Sequence, residues 1–346
     1  MTIPQETSIV VSAEAVRATI FHVLSELGAS ERESSIQADV LTEADLRGHH
    51  SHGLQRLPVL AERIKKQLIR VSVDPDYTWT ADSVLSVDGK SGLGPYVAET
   101  AHERAIPALQ QKGIVAVAIR NSSHIGMIGY YCERRAREGF VCIAMTESEA
   151  LVHPHGGTKA LVGTNPIAIG IPSEPSPFVF DMATSTSAIG KIYASKHRGE
   201  NIPLGWAIDA EGNPTTNPEA ALKGSLTPLA GPKGYGLGIS IGILSGLLTG
   251  AEIGRAVLGT LDTEFRCTKG DLFLLLNPAV FPGGPGLAAH VGAYLDEIRS
   301  SPPQQNCEQV IVPGDRARKV REERMRFGIP LPKEVWLAAE RLKNEF

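Results

Sequence analysis

The 346-residue chain has only four cysteines, Cys132, Cys142, Cys267 and Cys307, and no two of them form a CxxC pair. That scarcity argues against a zinc ribbon or a dithiol redox motif, and a chain of this length builds a core without disulfide staples. Four reduced, buried thiols in a cytoplasmic protein are the expectation. The amino terminus, MTIPQETSIVVSAEAVR, lacks a basic start followed by an apolar core, so no secretory leader is expected. Long apolar runs are missing too: the stretch from Gly236 to Ala251 is broken by glycine and serine and is shorter than the roughly 20 residues that cross a bilayer. With a formal net charge of -4 the chain has no overall basic field for nucleic acid. A P-loop is absent, since the nearest match, Gly89-Lys90-Ser91, has Val84 where the first glycine belongs. No GxGxxG lies between a strand and a helix with an acidic residue about 20 positions on, so a dinucleotide would bind without the Rossmann fingerprint.

What is present is ample apolar content, 42%, with 35 glycines and 23 prolines to make turns. Ser30 and Glu33 form a capping-box pattern, and Ile36, Val40, Leu41 and Ala44 recur behind it at helical spacing until Gly48. An earlier stripe, Val16, Ile20, Leu24 and Leu27, ends at Gly28, and Leu57, Leu60, Ile64 and Leu68 predict a third helix. From Val84 onward short apolar runs alternate with amphipathic segments: VLSV, a helix near residues 95 to 112, IVAVAI, another helix, and FVCIAM. IAIGI, PFVFD, LFLLL and VIV (310 to 312) add strand candidates, so the pattern predicts an α/β sheet with helices packed on it. The stretch from Asp209 to Ala220 reads as a surface loop, and the last 30 residues as charged amphipathic helix from Asp315 and again from Pro332.

Four segments carry candidate chemistry. GHHSHGLQR, residues 48 to 56, offers His49, His50 and His52 at spacings of one to three, whereas zinc ligands on a helix favour i, i+4. A metal site joining these to His153 and His155 of HPHGG is thus a minor reading, and a helix-capping role suits His49. Ser51 beside His52 pairs a hydroxyl with an imidazole for proton exchange, and Arg56, one turn on, suits a bidentate clamp on a carboxylate. A lone arginine, by contrast, is most often simply solvated. RNSSHIG, residues 120 to 126, follows a predicted strand and opens a helix, the place where α/β sheets bind ligands, which makes His124 a candidate acid/base. A histidine merely hydrogen-bonded at a helix start is an equal reading of that segment alone. After Asp181, the hydroxyls of Thr184 to Ser187 suit phosphate or ribose oxygens and equally suit capping. In GPKGYGLG, Lys233 approaches an apolar helix and can meet a phosphate as a point charge.

Six blocks in order, GHHSHGLQRLP, RNSSHIG, LVGTNPIAIGIP, DMATSTSAIGKI, IPLGWAIDAEGNPTTNP and GPKGYGLG, resemble the malate/L-lactate dehydrogenase family of non-Rossmann NAD(P)-dependent oxidoreductases over nearly the whole chain. The resemblance implies a non-Rossmann mixed sheet with flanking helices, a mainly helical domain (1–75 with 300–346) beside an α/β domain (76–299), and a homodimer. It implies catalytic roles for His124, as the proton-transferring residue, and for Ser51 and His52. Arg56 would hold the substrate carboxylate and Thr164 would touch the substrate, with Lys191 as a second cation for an acidic one. Ile125, Gly126, Ser148, Asp181, Met182, Ala183, Lys233, Gly314, Asp315 and Arg316 would hold NAD or NADP. The imine reductases of the family carry His-Gly-Asp where this chain reads Ile189-Gly190-Lys191. His155 and Asp271 also stand where the family more often has other residues.

The activity so implied is reversible oxidation of a 2-hydroxycarboxylate to its 2-oxo acid. A reductase of cyclic imines or diketo sugar acids, a metal-dependent hydrolase using the histidine clusters, and a non-catalytic binding protein are the alternatives.

Overall fold

Helical periodicity shapes the first part of the computed structural model, which describes residues 8–260 and 262–345. Residues 1–7, on which the leader argument partly rests, lie outside that range. A short strand, β1 (Ser8–Val11), leads into α1 (Ala13–Glu26), α2 (Glu31–Leu46) and α3 (Leu57–Lys65). The capping box at α2 forms as expected: the Glu33 amide donates to the Ser30 hydroxyl and the Ser30 amide donates to the Glu33 carboxylate at 2.8 Å. Val16, Ile20 and Leu24 of α1 enter an apolar cluster with Leu41 and Leu54, and with Ile329, Leu331 and Ala339 from the far end of the chain.

Next come β2 (Asp76–Ala81), β3 (Val84–Gly92), α4 (Gly94–Lys112), β4 (Ile114–Ser122), α5 (Gly129–Arg137), β5 (Val141–Thr146), β6 (Ile167–Ile171) and β7 (Phe178–Met182). Then follow α6 (Ile189–Arg198), β8 (Ala207–Ile208), β9 (Pro214–Thr215), α7 (Pro218–Lys223), β10 (Ser225–Leu226), α8 (Pro232–Ser245) and β11 (Asp271–Leu276). The chain closes with α9 (Leu287–Ser300), α10 (Asp315–Phe327), β12 (Ile329–Pro332) and α11 (Lys333–Asn344). The seven-stranded sheet runs β2-β3-β4-β11-β5-β6-β7, with β3 and β4 parallel and every other neighbouring pair antiparallel. This mixed order differs from a doubly wound nucleotide fold. The late strand β11 threads between β4 and β5, its Phe273 and Leu275 buried, and sets Asp271 opposite Ile119 and Thr146. Asp271 therefore stands at the carboxyl ends of β4 and β5, where the candidate loops leave the sheet. Among the described residues no helix is long and apolar enough to cross a membrane.

Three expectations need correction. Val310, Ile311 and Val312 form no strand: the Val312 amide donates to the Asp315 carboxylate at 3.1 Å, which turns the chain into α10. Of the cysteines, Cys132, Cys142 and Cys267 are buried free thiols, but Cys307 is exposed. The carbonyls at the end of α2 are capped by backbone rather than by an imidazole. Gly48, at φ +82, donates to Asp45 O and the His49 amide donates to Ala44 O.

Candidate functional site

The loop after α2 is pinned by one buried carboxylate. Asp45 accepts the Leu54 amide at 2.6 Å on one oxygen and the His50 Nδ1–H at 2.7 Å on the other. A β-carbon on Gly53 would sit 2.2 Å from that carboxylate, so the close approach requires glycine. Between these pins the chain makes two 3-10 turns, His50–His52 and Leu54–Arg56. They present Ser51 and His52 side by side, Ser51 Oγ lying 3.0 Å from His52 Nδ1. Arg56 folds back with Nε donating to the Ser51 carbonyl at 2.8 Å, and among the described residues it forms no ion pair with a carboxylate. The sequence predicted Ser51, His52 and Arg56 but missed Asp45, whose signal was only an acidic residue one turn before a helix stop.

The second loop leaves the carboxyl end of β4. Ser123 Oγ accepts the Gly94 amide at 2.8 Å, and the Ile125 side chain is buried in the sheet core, so Ile125 anchors the loop on which Gly126 sits. Gly126 has φ +80, and a β-carbon there would meet Val40 Cγ1 at 2.5 Å. Its amide donates to His124 Nδ1 at 3.0 Å, which leaves Nε2 as the ring nitrogen available to a ligand. The His124 and His52 rings stack with centroids 5.4 Å apart and planes at 28°. Burial pushes the His52 imidazolium down to about 3, with Arg56 adding to the effect. His124 is driven well below the ordinary histidine range by burial, then by Arg56 and His52. Both rings are neutral at pH 7, and the guanidinium that disfavours their charge is the group assigned to the substrate carboxylate.

The start of α6 closes this cluster, since a β-carbon on Gly190 would lie 3.2 Å from Ser51 Cβ. The adjacent Lys191 is exposed, its ammonium 5.5 Å above the Trp206 ring. Thr164 belongs to a neighbouring knot: its Oγ1 is 3.0 Å from Ser148 Oγ, which also accepts the Thr164 amide at 2.8 Å, while its carbonyl accepts the Thr184 amide.

The remaining predicted residues line up along β7. At its start, a β-carbon on Gly314, the N-cap of α10, would come 3.1 Å from the Val179 carbonyl. At its end, Asp181 accepts the Gly129 amide of α5 at 2.8 Å. Its carboxyl is raised to about 6 because protein walls it in, although the residue stays open to solvent at one side. Beyond Met182 and Ala183, Thr184 packs on α8: a β-carbon on Gly238 would meet its Oγ1 at 2.9 Å. The N-termini of α8, which carries Lys233, and of α10 have no side-chain cap. Asp315 is held by Arg299 through two bonds of 2.8 and 2.9 Å, and Arg316 is exposed. Two helix N-termini without side-chain caps, one of them carrying a lysine, suit a dinucleotide's phosphates, although the Gly234 and Asp315 amides already donate to the Leu229 and Val312 carbonyls.

A third group was visible to sequence reasoning only at Asp271, as a departure from the family, and not at Glu147 or Lys269. Glu147, Lys269 and Asp271 are sealed beneath the cleft at the ends of β5 and β11, with Lys269 bonded to Asp271 at 2.5 Å and Ser122 donating to Asp271 at 3.2 Å. Burial raises the Glu147 carboxyl to about 8. Such residues look solvated in sequence, and only the fold reveals their burial. The two histidine-rich stretches stay apart: His153 Nδ1 donates to the Pro154 carbonyl at 2.8 Å beside β10. Among the described residues no group of three or more His, Cys, Asp or Glu is placed to hold a metal ion.

Residues 11–339 match the profile of the malate/L-lactate dehydrogenase family. A malate/(S)-sulfolactate dehydrogenase of Methanothermus fervidus is 39% identical over 335 residues, spanning 97% of this chain and 96% of that one. A ureidoglycolate dehydrogenase (NAD(+)) of Escherichia coli is 34% identical over 310 residues, 88% of this chain and 87% of its own. The crystal structure of a dehydrogenase from Sinorhizobium meliloti superposes with a TM-score of 0.93 at 42% identity, covering 97% of this chain and 98% of that chain.

Proposed function

The chain belongs to the malate/L-lactate dehydrogenase family, and we propose that it interconverts a 2-hydroxycarboxylate and its 2-oxo acid with NAD or NADP. The observation that carries this reading is the convergence of Ser51, His52 and His124 beside the largely buried Arg56 guanidinium. Arg56 holds the substrate carboxylate. With the Gly126 amide on Nδ1, neutral His124 carries its proton on Nε2 and keeps it in a hydrogen bond to the oxygen at C2, polarising the 2-oxo acid. The proton that moves takes one route in both directions. On oxidation the hydroxyl proton passes to Ser51 as Ser51 hands its own to His52 Nδ1, and on reduction it returns the same way. Binding of the carboxylate offsets the Arg56 charge that makes His52 a weak base. Thr164 and Lys191 complete the substrate side, Lys191 as a second cation for an acidic substrate.

A bound nicotinamide supplies the hydride acceptor. Asp181, Met182 and Ala183 along β7, the Ile125-Gly126 loop, Ser148, Lys233 and the Gly314, Asp315 and Arg316 turn would hold it. Reduction of cyclic imines or diketo sugars is not favoured, since the named relatives act on hydroxy acids.

We further assign two units, 1–75 with 300–346 and 76–299; two apolar clusters support this, with Leu93 and Tyr96 at the start of α4 joining the first. A cytoplasmic homodimer is part of the same reading. Leu237, Ile243, Leu244, Leu247 and Leu248 form an exposed apolar stripe on and after α8, the kind of face a second copy covers.

The test is a panel of 2-hydroxy and 2-oxo acids, each with NAD and NADP, followed by nicotinamide absorbance. Turnover of at least one acid pair is expected. Turnover confined to cyclic imines, or none with either cofactor, overturns the reading.

A further inference from the structure

His50 has no part in the chemistry above, yet it is the most constrained of the three histidines in its loop. Its Nδ1 lies 2.7 Å from Asp45 Oδ1 and its Nε2 3.0 Å from Arg324 Nη1. An arginine only donates, so Nε2 accepts and the ring's single proton points from Nδ1 to Asp45. The His50 carbonyl accepts the Gly53 amide at 3.0 Å, and the second oxygen of Asp45 accepts the Leu54 amide at 2.6 Å. One buried carboxylate thus grips the loop on both sides of Ser51 and His52.

The grip is backed from outside. Arg324 lies near the end of α10, and the same Nη1 also donates to the Asp45 carbonyl. Helix α10 is itself fastened to α2, with Arg321 donating to Glu43 at 2.7 and 2.9 Å, and a β-carbon on Gly48 would lie 3.6 Å from Val320 of that helix. The loop cannot shift toward Asp45, because Gly53 already touches it. It cannot swing away without breaking two charge-assisted bonds.

We propose that Asp45, His50 and Arg324 form a clamp in which His50 is the positioning residue for Ser51 and His52, setting their reach to the substrate without touching it. This rests on the reading that Ser51 and His52 face the substrate.

The test uses the full-length protein with Arg324→Met, Arg324→Lys, His50→Ala and the Arg324→Met/His50→Ala double variant. Displacement of reacting groups by about 1 Å can cost on the order of a hundredfold. A fall of about tenfold or more in kcat/KM for the preferred acid is therefore expected in Arg324→Met and His50→Ala, with cofactor Kd within about twofold of wild type. Arg324→Lys, which keeps a cationic donor, should recover most of the loss, and the double variant should lose no more than the worse single one. Hydrogen exchange should quicken at residues 48–57 while the central strands keep their protection. Wild-type kcat/KM in Arg324→Met, additive losses in the double variant, or exchange that quickens uniformly over the chain each overturns the clamp. Wild-type protein inert toward every 2-hydroxy acid overturns the functional reading instead, and the exchange measurement still decides the clamp.

Discussion

Two polar clusters occupy the same end of the sheet, one open to a cleft and one sealed beneath it. In the open cluster Ser51, His52, His124 and Arg56 are half-buried and share few bonds with the rest of the protein. In the sealed one Lys269 and Asp271 are at most 1% exposed and bonded to each other, to Thr146 and to Ser122. Proton affinities are displaced in both, His52 down to about 3 and Glu147 up to about 8, with burial as the leading cause each time. A displaced proton affinity therefore does not by itself mark a reaction site. What separates the clusters is access, together with a guanidinium held by backbone carbonyls in one and a close Lys269–Asp271 ion pair in the other.

The sharpest way to break that contrast is to remove the imidazole that faces the cleft. Removing one hydrogen-bond donor from a developing oxyanion costs about 10² to 10³ in rate. His124→Ala should lower kcat on that scale while the protein stays folded, as judged by its melting curve. Near-wild-type turnover would place the open cluster in the same structural category as the sealed one.

The next effect is smaller and falls on binding. Arg56→Ala removes a charge-assisted grip worth about 1.5 to 3 kcal/mol, so KM for the acid should rise by roughly 10- to 150-fold. Cofactor affinity, read by nicotinamide fluorescence, should barely change. An equal loss in cofactor affinity would show that Arg56 belongs to the dinucleotide and not to the substrate.

The two clusters also differ in how legible they were. Apolar periodicity located α1 to α4 and the sheet strands β3 to β7 and β11, because each buries a regular face. It missed β12, whose Pro330 and Pro332 argue against a strand, although that strand tolerates them as the outer partner of β1. In the open cluster, serine, histidine and arginine on glycine-flanked loops stand out by type and place. In the sealed cluster only Asp271 stands out, as a departure from the family, because Glu, Lys and Asp are ordinary surface residues until tertiary packing covers them. His50 shows the same limit within one motif: its partner Arg324 is 274 positions away.

The smallest effect expected concerns Glu147 of the sealed cluster. Its Oε2 has no hydrogen-bond partner among the described residues, and β-carbons on Gly242 and Gly246 would crowd the carboxyl. The folded chain keeps this group protonated up to about pH 8, whereas an unfolded chain releases the proton near 4.5. Between those values the folded state binds more protons, so this group's contribution falls as pH rises and is fully lost only above pH 8. His52 and His124 act with the opposite sign: both stay neutral when folded, so they cost stability as pH falls below about 6.5. Glu147→Gln keeps the neutral shape and removes only the alkaline loss. Its melting temperature should match wild type at pH 5 and exceed it at pH 9 by a few degrees, for a gain of ~2 kcal/mol. The acid side of the stability profile should be unchanged, because Glu147 is protonated there in the folded and unfolded chain alike. A variant less stable than wild type at pH 9 would mean that the ionised Glu147 carboxylate is stabilised there, its charge compensated by Lys269.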